Sequence, residues 1–318
     1  VVQEVDLLRT RFGGEATYLR PRWRARAWYP SRLLGLHRLR AIRRRDRDVD
    51  LHHVYASQLF TLPLLRLVER PVVYTVTADV GPAHRMPRVS YLRRLGAIVV
   101  PGRADLDALA RLGVENARVA PPGIDVSRFV DTPPPSGAGL VLLAGSAPWA
   151  RQQFRTKGVD ALLALARQME DVRLVFLWRG VLLRELIARV GDAGLAERVE
   201  ILRDRVDVSR VLAGVHAAVV LAEGPGLVKA YPHSLLEALA AGRPVVISDG
   251  NPMAAYVRAT RCGCVVQGVD QASLGRAIRE LRQNYDIYRA RASEVGKRDF
   301  SQEALVSAYA DLYGGLAG

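Results

Sequence analysis

Short β-rich runs that are apolar on both faces alternate along this chain with longer stretches whose apolar residues recur every three or four positions. In the first part the runs are VDLHHVY, ERPVVYTVTA, GAIVVP and ARVAPP, with SRLLGLHRLRAIRRR, SQLFTLPLLRLV and ADLDALARLG reading as helices. The second part repeats the scheme with GLVLLAG, DVRLVFLW, RVEILRD, AAVVLAE, RPVVISD and CGCVVQG. Between these lie the amphipathic segments KGVDALLALARQM, VLLRELIARVGDAG, VDVSRVLAG, SLLEALAAG and QASLGRAIRELRQNY. Strands apolar on both faces belong in parallel sheets covered by helices on both sides. The pattern therefore predicts an α/β chain with a doubly wound, Rossmann-like arrangement present twice.

The ends and the middle complete this division. QEVDLLRTRF reads as a helix stopped by Gly13-Gly14, followed by EATYLRP as a strand. A phosphate loop at the two glycines would need a strand before it, so a helix stop is the reading. Residues 121–139, PPGIDVSRFVDTPPPSGAG, are rich in Pro and Gly and lack periodicity, as a linker does. FSQEALVSAYADLYGGLAG is helical, with Ser301 as N-cap and Glu303 in the first turn. The expected domains are 1–133, 134–300 and a terminal helix over 301–318.

Composition narrows the class. Of 318 residues 49% are apolar and 25% charged, the profile of a globular protein rather than a disordered one. No apolar run is long enough to span a bilayer, and the start shows no signal peptide. Cys262 and Cys264 are too close together for a disulfide framework and lack the second pair a zinc site requires, so reduced thiols and a cytoplasmic chain are expected. The net charge is +14, and eleven arginines fall within 19–48 beside Trp23, Trp28 and Tyr29. Three readings stand for that stretch: a solvated face, a nucleic-acid contact, or an anionic membrane surface met by basic and aromatic side chains together. No nucleic-acid-binding motif accompanies it, so no nucleic-acid partner is expected. Lysine occurs only at Lys157, Lys229 and Lys297, where arginine's planar fork has not replaced the compact ammonium.

In open α/β sheets ligands bind beyond the carboxyl ends of strands, against helix N-termini. GSAPWARQQFRTKGVD runs from a strand ending near Ala144 to a helix beginning near Gly158, and puts Lys157 at that helix start. A cation there is unfavourable unless an anion lies between, so Lys157 is either a phosphate ligand or a surface lysine. KAYPHSLLEALAAGRPVV, residues 229–246, opens a helix with Ser234 as N-cap candidate and Glu237 at the third position. Glu237 then either closes a capping box or accepts hydrogen bonds from ribose hydroxyls. The loop RDRVD, with Arg203 and Asp204, follows another strand and would lie beside the same crevice, its backbone placed to read a nucleobase edge. Asp79 also follows a strand. His52 and His53 are adjacent in a strand, face opposite ways, and cannot share a metal.

EALAAGRPVVISD, with GAIVVPGRADLDALARLGV, VAPPGIDVSRF, KGVDALL and YPHSLLEALAAGRPVV in order, resembles the GT-B fold glycosyltransferases, in particular retaining glycosyltransferase family 4. The similarity runs over most of the chain. It implies two Rossmann-like domains facing each other across a cleft, with the final helix crossing back to the first domain. It implies a metal-independent, retaining transfer from a UDP- or GDP-type sugar, with no further cofactor, to a glycan, lipid-linked or small-molecule acceptor. Lys157 would bind the donor diphosphate, amides near His233 and Ser234 would cradle phosphate, and Glu237 would bind the ribose as second Glu of the Glu-x7-Glu motif. The first Glu of that motif is Lys229 here, and the three form the catalytic set. The implied donor site also holds Gly145, Ser146, Arg151, Arg155, Arg203, Asp204, Tyr231, Pro232 and Leu235. Ser146 replaces the family's Arg, leaving Arg151 and Arg155 as candidate substitutes. Thr77 stands where a His often follows YTV, and with Asp79 lies on the acceptor side. The family's first strand and Gly-rich loop have no counterpart from Val1 onwards, as in a shortened, processed or naturally minimal chain. These departures keep a second expectation open: a non-catalytic relative that binds nucleotide or glycan and partners an active enzyme. Peripheral contact with the inner face of a membrane is expected from the basic stretch.

Overall fold

The computed structural model describes residues 2–21, 30, 33–81, 86–137, 139–145, 147–178 and 180–317. Trp23, Trp28, Tyr29 and most of the tryptophan-bearing part of the basic stretch lie outside the described residues, as does Ser146. In chain order the elements begin with α1 (Val2–Phe12), α2 (Leu39–Arg45), β1 (His52–Ala56), β2 (Val72–Val76), α3 (Val89–Leu92), β3 (Ala97–Val100), α4 (Arg103–Arg111) and β4 (Ala117–Val119). There follow β5 (Leu140–Ala144), α5 (Gln153–Thr156), α6 (Val159–Gln168), β6 (Val172–Leu177), α7 (Leu183–Asp192), β7 (Val199–Leu202), α8 (Val208–Ala213), β8 (Ala217–Val220), α9 (His233–Ala240), β9 (Val245–Ser248), α10 (Ala254–Thr260), β10 (Gly263–Val266), α11 (Gln271–Gln283), α12 (Tyr285–Asp299) and α13 (Gln302–Ala317). Two compact units result, one from Val1–Gly123 with Gln302–Gly318, the other from Ile124–Ser301.

All ten apolar runs singled out by their pattern form strands; β2, β3, β8 and β9 are buried along their whole length, whereas the edge strands β1, β4 and β7 are only partly buried. In the first unit four parallel strands lie in the order β1-β2-β3-β4. Alternate residues of β2 and β3 feed opposite cores: Tyr74, Val76, Ile98 and Val100 pack with Leu92 of α3 and Leu109 of α4. Val73, Ala97 and Val99 pack on the other face with Leu8 of α1 and with Leu305 and Tyr309 of α13. The helix at the end of the chain thus closes the core of the unit that begins it.

Two expectations fail here. EATYLRP is not a strand: residues 15–21 form no ladder and are almost all exposed. A lone polar-rich run without a partner edge has nothing to bury. SQLFTLPLLRLV is not a helix but an irregular segment with a single 3-10 turn, Pro63–Arg66. Pro63 lacks the N–H that a helix through it would need, and Leu59, Leu62 and Leu64 are buried from a loop instead. The two-glycine stop after α1 is as read: Gly13 has φ 79° and its N–H returns to the Arg9 carbonyl at 2.9 Å.

A polar network sews α13 to β1 and β2. His53 Nε2 meets Thr75 Oγ1 at 2.7 Å and its Nδ1 meets the Tyr313 hydroxyl at 2.6 Å. The Thr75 hydroxyl also meets that of Tyr309 at 3.1 Å, and the Tyr55 and Tyr309 hydroxyls donate to Glu4 Oε1 at 3.3 and 3.5 Å. Burial lowers the His53 imidazole to about 3 and raises the Glu4 carboxyl. His52, on the opposite face, pairs with Asp46 at 2.8 Å, so the two histidines serve separate structural roles.

In the second unit six parallel strands run β10-β9-β8-β5-β6-β7. The chain starts in the middle at β5, winds outward to β7, then returns to β8 on the other side, so the winding direction reverses between β5 and β8. One core lies between the sheet and α6, α7 and α11, and the other beneath α8, α9, α10 and α12. Both cysteines are free and buried. Behind α9, Arg243 is fully buried. Its Nε donates to the Leu212 carbonyl at 2.8 Å, one terminal nitrogen to the Thr132 carbonyl at 3.0 Å, and the other to Thr132 Oγ1 at 2.8 Å and to the Pro133 and Ala213 carbonyls at 3.3 Å. Arg289 adds an ion pair to Asp131 and a bond to the Thr132 carbonyl at 3.2 Å.

Arg243→Ala is expected to destabilise the second unit by about 3 kcal/mol or more, since several buried carbonyls lose their donor together. Arg243→Lys should recover only part of this, lacking the fork; urea unfolding of the three proteins checks both statements. For His53 the folded value lies below the unfolded one, so the unfolded chain binds more protons between them. The stability it contributes is present above pH 6.5 and lost as pH falls towards about 3. The margin of wild type over His53→Gln in denaturant melts should shrink by up to about 1.4 kcal/mol per pH unit across that window.

Candidate functional site

The reversal between β5 and β8 leaves a crevice at their carboxyl ends, the place where open parallel sheets bind ligands. Two glycines bring its walls together. Gly158, with φ 71°, precedes α6, and a Cβ there would lie 2.4 Å from Leu221 Cδ1 at the end of β8. Gly145 follows β5 directly, and a Cβ on it would lie 2.8 Å from Ser234 Cβ at the start of α9. The start of α6 and the start of α9 are therefore both held at the ends of these two central strands.

Lys157 lies between α5 and α6, one residue before the glycine cap, as its spacing predicts. Its side chain is buried, 7% exposed, and Nζ donates to the Ala147 carbonyl at 3.3 Å. Burial holds its pKa below the ordinary lysine value. Its head is thus not in water as a surface lysine's would be: it lies in a small cleft whose other described lining residues are Ala144, Ala147, Val159, Leu162, Phe176, Trp178, Val219 and Leu221. Four buried side-chain polar atoms among the described residues lack a hydrogen-bond partner, and two of them, Trp178 Nε1 and Thr156 Oγ1, belong to this corner.

Helix α9 starts two residues earlier than Ser234 as its N-cap implies. Pro232 is the N-cap, with φ −65° and ψ 121°, and no side chain caps the helix. Ser234 is therefore the second helical residue, and Glu237 the fifth, so no capping box forms; the proline's fixed φ suits the entry and displaces serine from the cap. The amides of Leu235 and Leu236 both return to the Pro232 carbonyl, at 2.9 and 3.3 Å. Those of His233 and Ser234, the first two of the helix, point out of its end without an acceptor inside it. Glu237 is one turn below His233 on the same face. His233 is exposed, yet the protein around its ring disfavours the imidazolium, and the Lys229 charge lowers its pKa further. Lys229 is exposed in the segment before the helix.

The remaining candidates divide. Arg155 pairs with Glu223 at 3.3 Å and Arg151 with Glu185 at 3.8 Å, both arginines being largely exposed. Arg203 and Asp204 are exposed after β7, the edge strand two positions from β5. Tyr231 packs its ring against Phe300 at 6.0 Å, and Leu235 is fully buried, so these two face the core of α9 rather than the crevice. In the first unit, the Thr77 amide bonds the Ala56 carbonyl at 2.8 Å, and Asp79 Oδ1 accepts from Gly81 N at 2.7 Å and Gln58 Nε2 at 2.9 Å. Sequence reasoning missed Thr156, Trp178 and Glu223. Only Glu223 carried a signal, standing directly after the β8 segment, where its amide bonds the Thr156 carbonyl at 2.9 Å.

Residues 150–299, from α5 to α12, match the family profile described as glycosyl transferases group 1. The chain is 27% identical over 263 residues to the phosphatidyl-myo-inositol mannosyltransferase of Mycobacterium leprae, which covers 79% of this chain and 68% of that protein. It is 29% identical over 197 residues to the GDP-mannose-dependent alpha-(1-6)-phosphatidylinositol monomannoside mannosyltransferase of Mycolicibacterium smegmatis, covering 57% of this chain and 50% of that one. Among solved structures, Anabaena HepE in complex with UDP aligns with a TM-score of 0.67 at 16% identity, over 87% of this chain and 82% of its own. The chain thus has two parallel-sheet α/β units in the GT-B fold, and residues 150–299 of its second unit match the glycosyl transferases group 1 profile.

Proposed function

We propose that this protein transfers a sugar from a nucleoside-diphosphate sugar to a glycan or lipid-linked acceptor, with retention of configuration and without a metal ion. The observation that carries the reading is the buried ammonium of Lys157 at the strand reversal, in the same corner as the two outward amides of α9. A lysine ammonium beyond the carboxyl ends of parallel strands is placed to pair with an anionic ligand, and a helix start supplies further donors for one. When the bond from the anomeric carbon to the diphosphate breaks, charge develops on the leaving oxygen. Fixed donors placed there lower the barrier. In this reading Lys157 and the His233 and Ser234 amides hold the diphosphate, and Glu237 takes the ribose hydroxyls. Lys229 faces the sugar or its phosphate, and Arg155, held by Glu223, borders the site.

The mycobacterial relatives named above act on phosphatidylinositol-type acceptors, one of them with GDP-mannose, while HepE binds UDP. Together with the basic stretch at 19–48 they support a UDP- or GDP-type donor and a lipid-linked acceptor at a membrane surface. No described helix is long and apolar enough to cross a membrane.

Release of nucleoside diphosphate from a panel of UDP- and GDP-sugars with a lipid or glycan acceptor tests the activity. Nucleotide binding without turnover would instead favour a non-catalytic partner protein, a reading suggested by the carboxylates already engaging Arg151 and Arg155. Lys157→Ala should weaken nucleoside-diphosphate binding about 10- to 100-fold in calorimetry. Anion binding needs the protonated amine, whose pKa is lowered here. Affinity should therefore fall as pH rises, beginning below the pH at which an ordinary lysine loses its proton, and binding should take up protons there. Lys229→Glu should change donor choice or turnover while leaving the thermal midpoint within about 2 °C of wild type, as for a surface substitution.

A further inference from the structure

Trp178 follows β6 at the same edge of the sheet and is 2% exposed. Its ring is held between Phe154, with centroids 5.6 Å apart, and Phe176, edge-on at 6.2 Å. The indole Nε1 has no hydrogen-bond partner among the described residues. Buried donors are nearly always paired, and one left alone costs free energy. A phenylalanine would give the same aromatic packing without that cost, so the nitrogen itself calls for a role.

Its surroundings indicate one. Trp178 lines the same cleft as Lys157. A Cβ added at Gly180 would lie 3.3 Å from Nε1 and 3.1 Å from both the Ala147 Cβ and the Pro148 carbonyl. The indole nitrogen therefore lies beside the Ala147–Pro148 segment, whose Ala147 carbonyl receives the Lys157 ammonium at 3.3 Å. Two groups that can only donate converge there, in a cleft whose other lining side chains are apolar. Such a place selects an acceptor-only oxygen, preferably an anionic one.

We infer that Trp178 Nε1 is a ligand-binding donor, hydrogen-bonding a phosphate oxygen of the nucleoside-diphosphate donor beside Lys157. The inference rests on the reading of this crevice as a nucleotide-sugar site. On this view the indole N–H, without a partner among the described residues, gains its pairing on binding.

Calorimetric titration of UDP and GDP into the unmodified protein and into Trp178→Phe tests this. Expected is binding about tenfold weaker in the variant, with the thermal midpoint of the ligand-free variant equal to or above that of the unmodified protein. Equal affinity in the two proteins overturns the role of Trp178 alone, and identifies the indole as a site for water only. No binding of either nucleotide by the unmodified protein overturns this inference and the functional reading together. Should the variant fail to fold, indole N–H resonances of the unmodified protein decide, assigned with Trp23→Phe, Trp28→Phe and Trp149→Phe. The Trp178 signal should move downfield on addition of the binding nucleotide; a signal that stays in place overturns the proposal.

Discussion

A guanidinium with no access to water must have its donors satisfied by the protein, and Arg243 does so with oxygens from two separate stretches of chain. It binds the end of α8, the segment at 132–133 and, through its own backbone, the turn between α9 and β9. Arg289 and Asp131 tighten the same knot from α12. Burial alone would press these elements together at many angles. A planar fork whose donors point in fixed directions selects one. Helix α9 is only eight residues long, too short to be stable by itself, so its direction comes from what braces it. Its far end is held by this knot and its near end by Gly145 against Ser234.

The crevice so framed is rich in donors. Lys157, the first two amides of α9, the Trp178 indole and the Lys229 and His233 pair all present hydrogens or positive charge. Two carboxylates at the rim are engaged with arginines: Glu223 with Arg155, Glu185 with Arg151 and Arg189. That polarity is the complement of a diphosphate. It also explains why the lowered pKa values of Lys157 and His233 occur together: in each, the surrounding protein disfavours the charged form, and an incoming anion would restore it.

Much of this was readable along the chain, and the part that was not has a physical pattern. Strands such as VVYTV and VVIS are apolar on both faces because both are covered, so period alone identifies them. EATYLRP has strand-like residues but no neighbour to pair with, and pairing is not written locally. SQLFTLPLLRLV has helical spacing, which Pro63 overrides. That Lys157 and the segment before α9 stand at loop-to-helix junctions after strands was legible, because such junctions are local features. The cap was misplaced by two residues, since Ser234 and Pro232 both suit a helix start and only backbone torsions separate them. Trp178 gave no signal at all: an unpaired nitrogen is a property of its surroundings, which lie in β5, α5 and the loop after β6. Nothing along the chain marked Arg243, whose partners stand 111 residues away at Thr132 and 30 at Ala213.

The first unit's sheet face carrying Val73, Ala97 and Val99 is completed by α13, and α13 is made only after the whole second unit. At ribosomal speeds of about 5–20 residues per second, the roughly 180 intervening residues take on the order of 10–40 s to synthesise. Throughout that interval the nascent chain displays an apolar surface covered only by α1. The second unit, by contrast, has its residues in one uninterrupted piece and can fold as it emerges. Completion of the first unit's core therefore waits for the last-made helix, after every residue of the second unit has been synthesised.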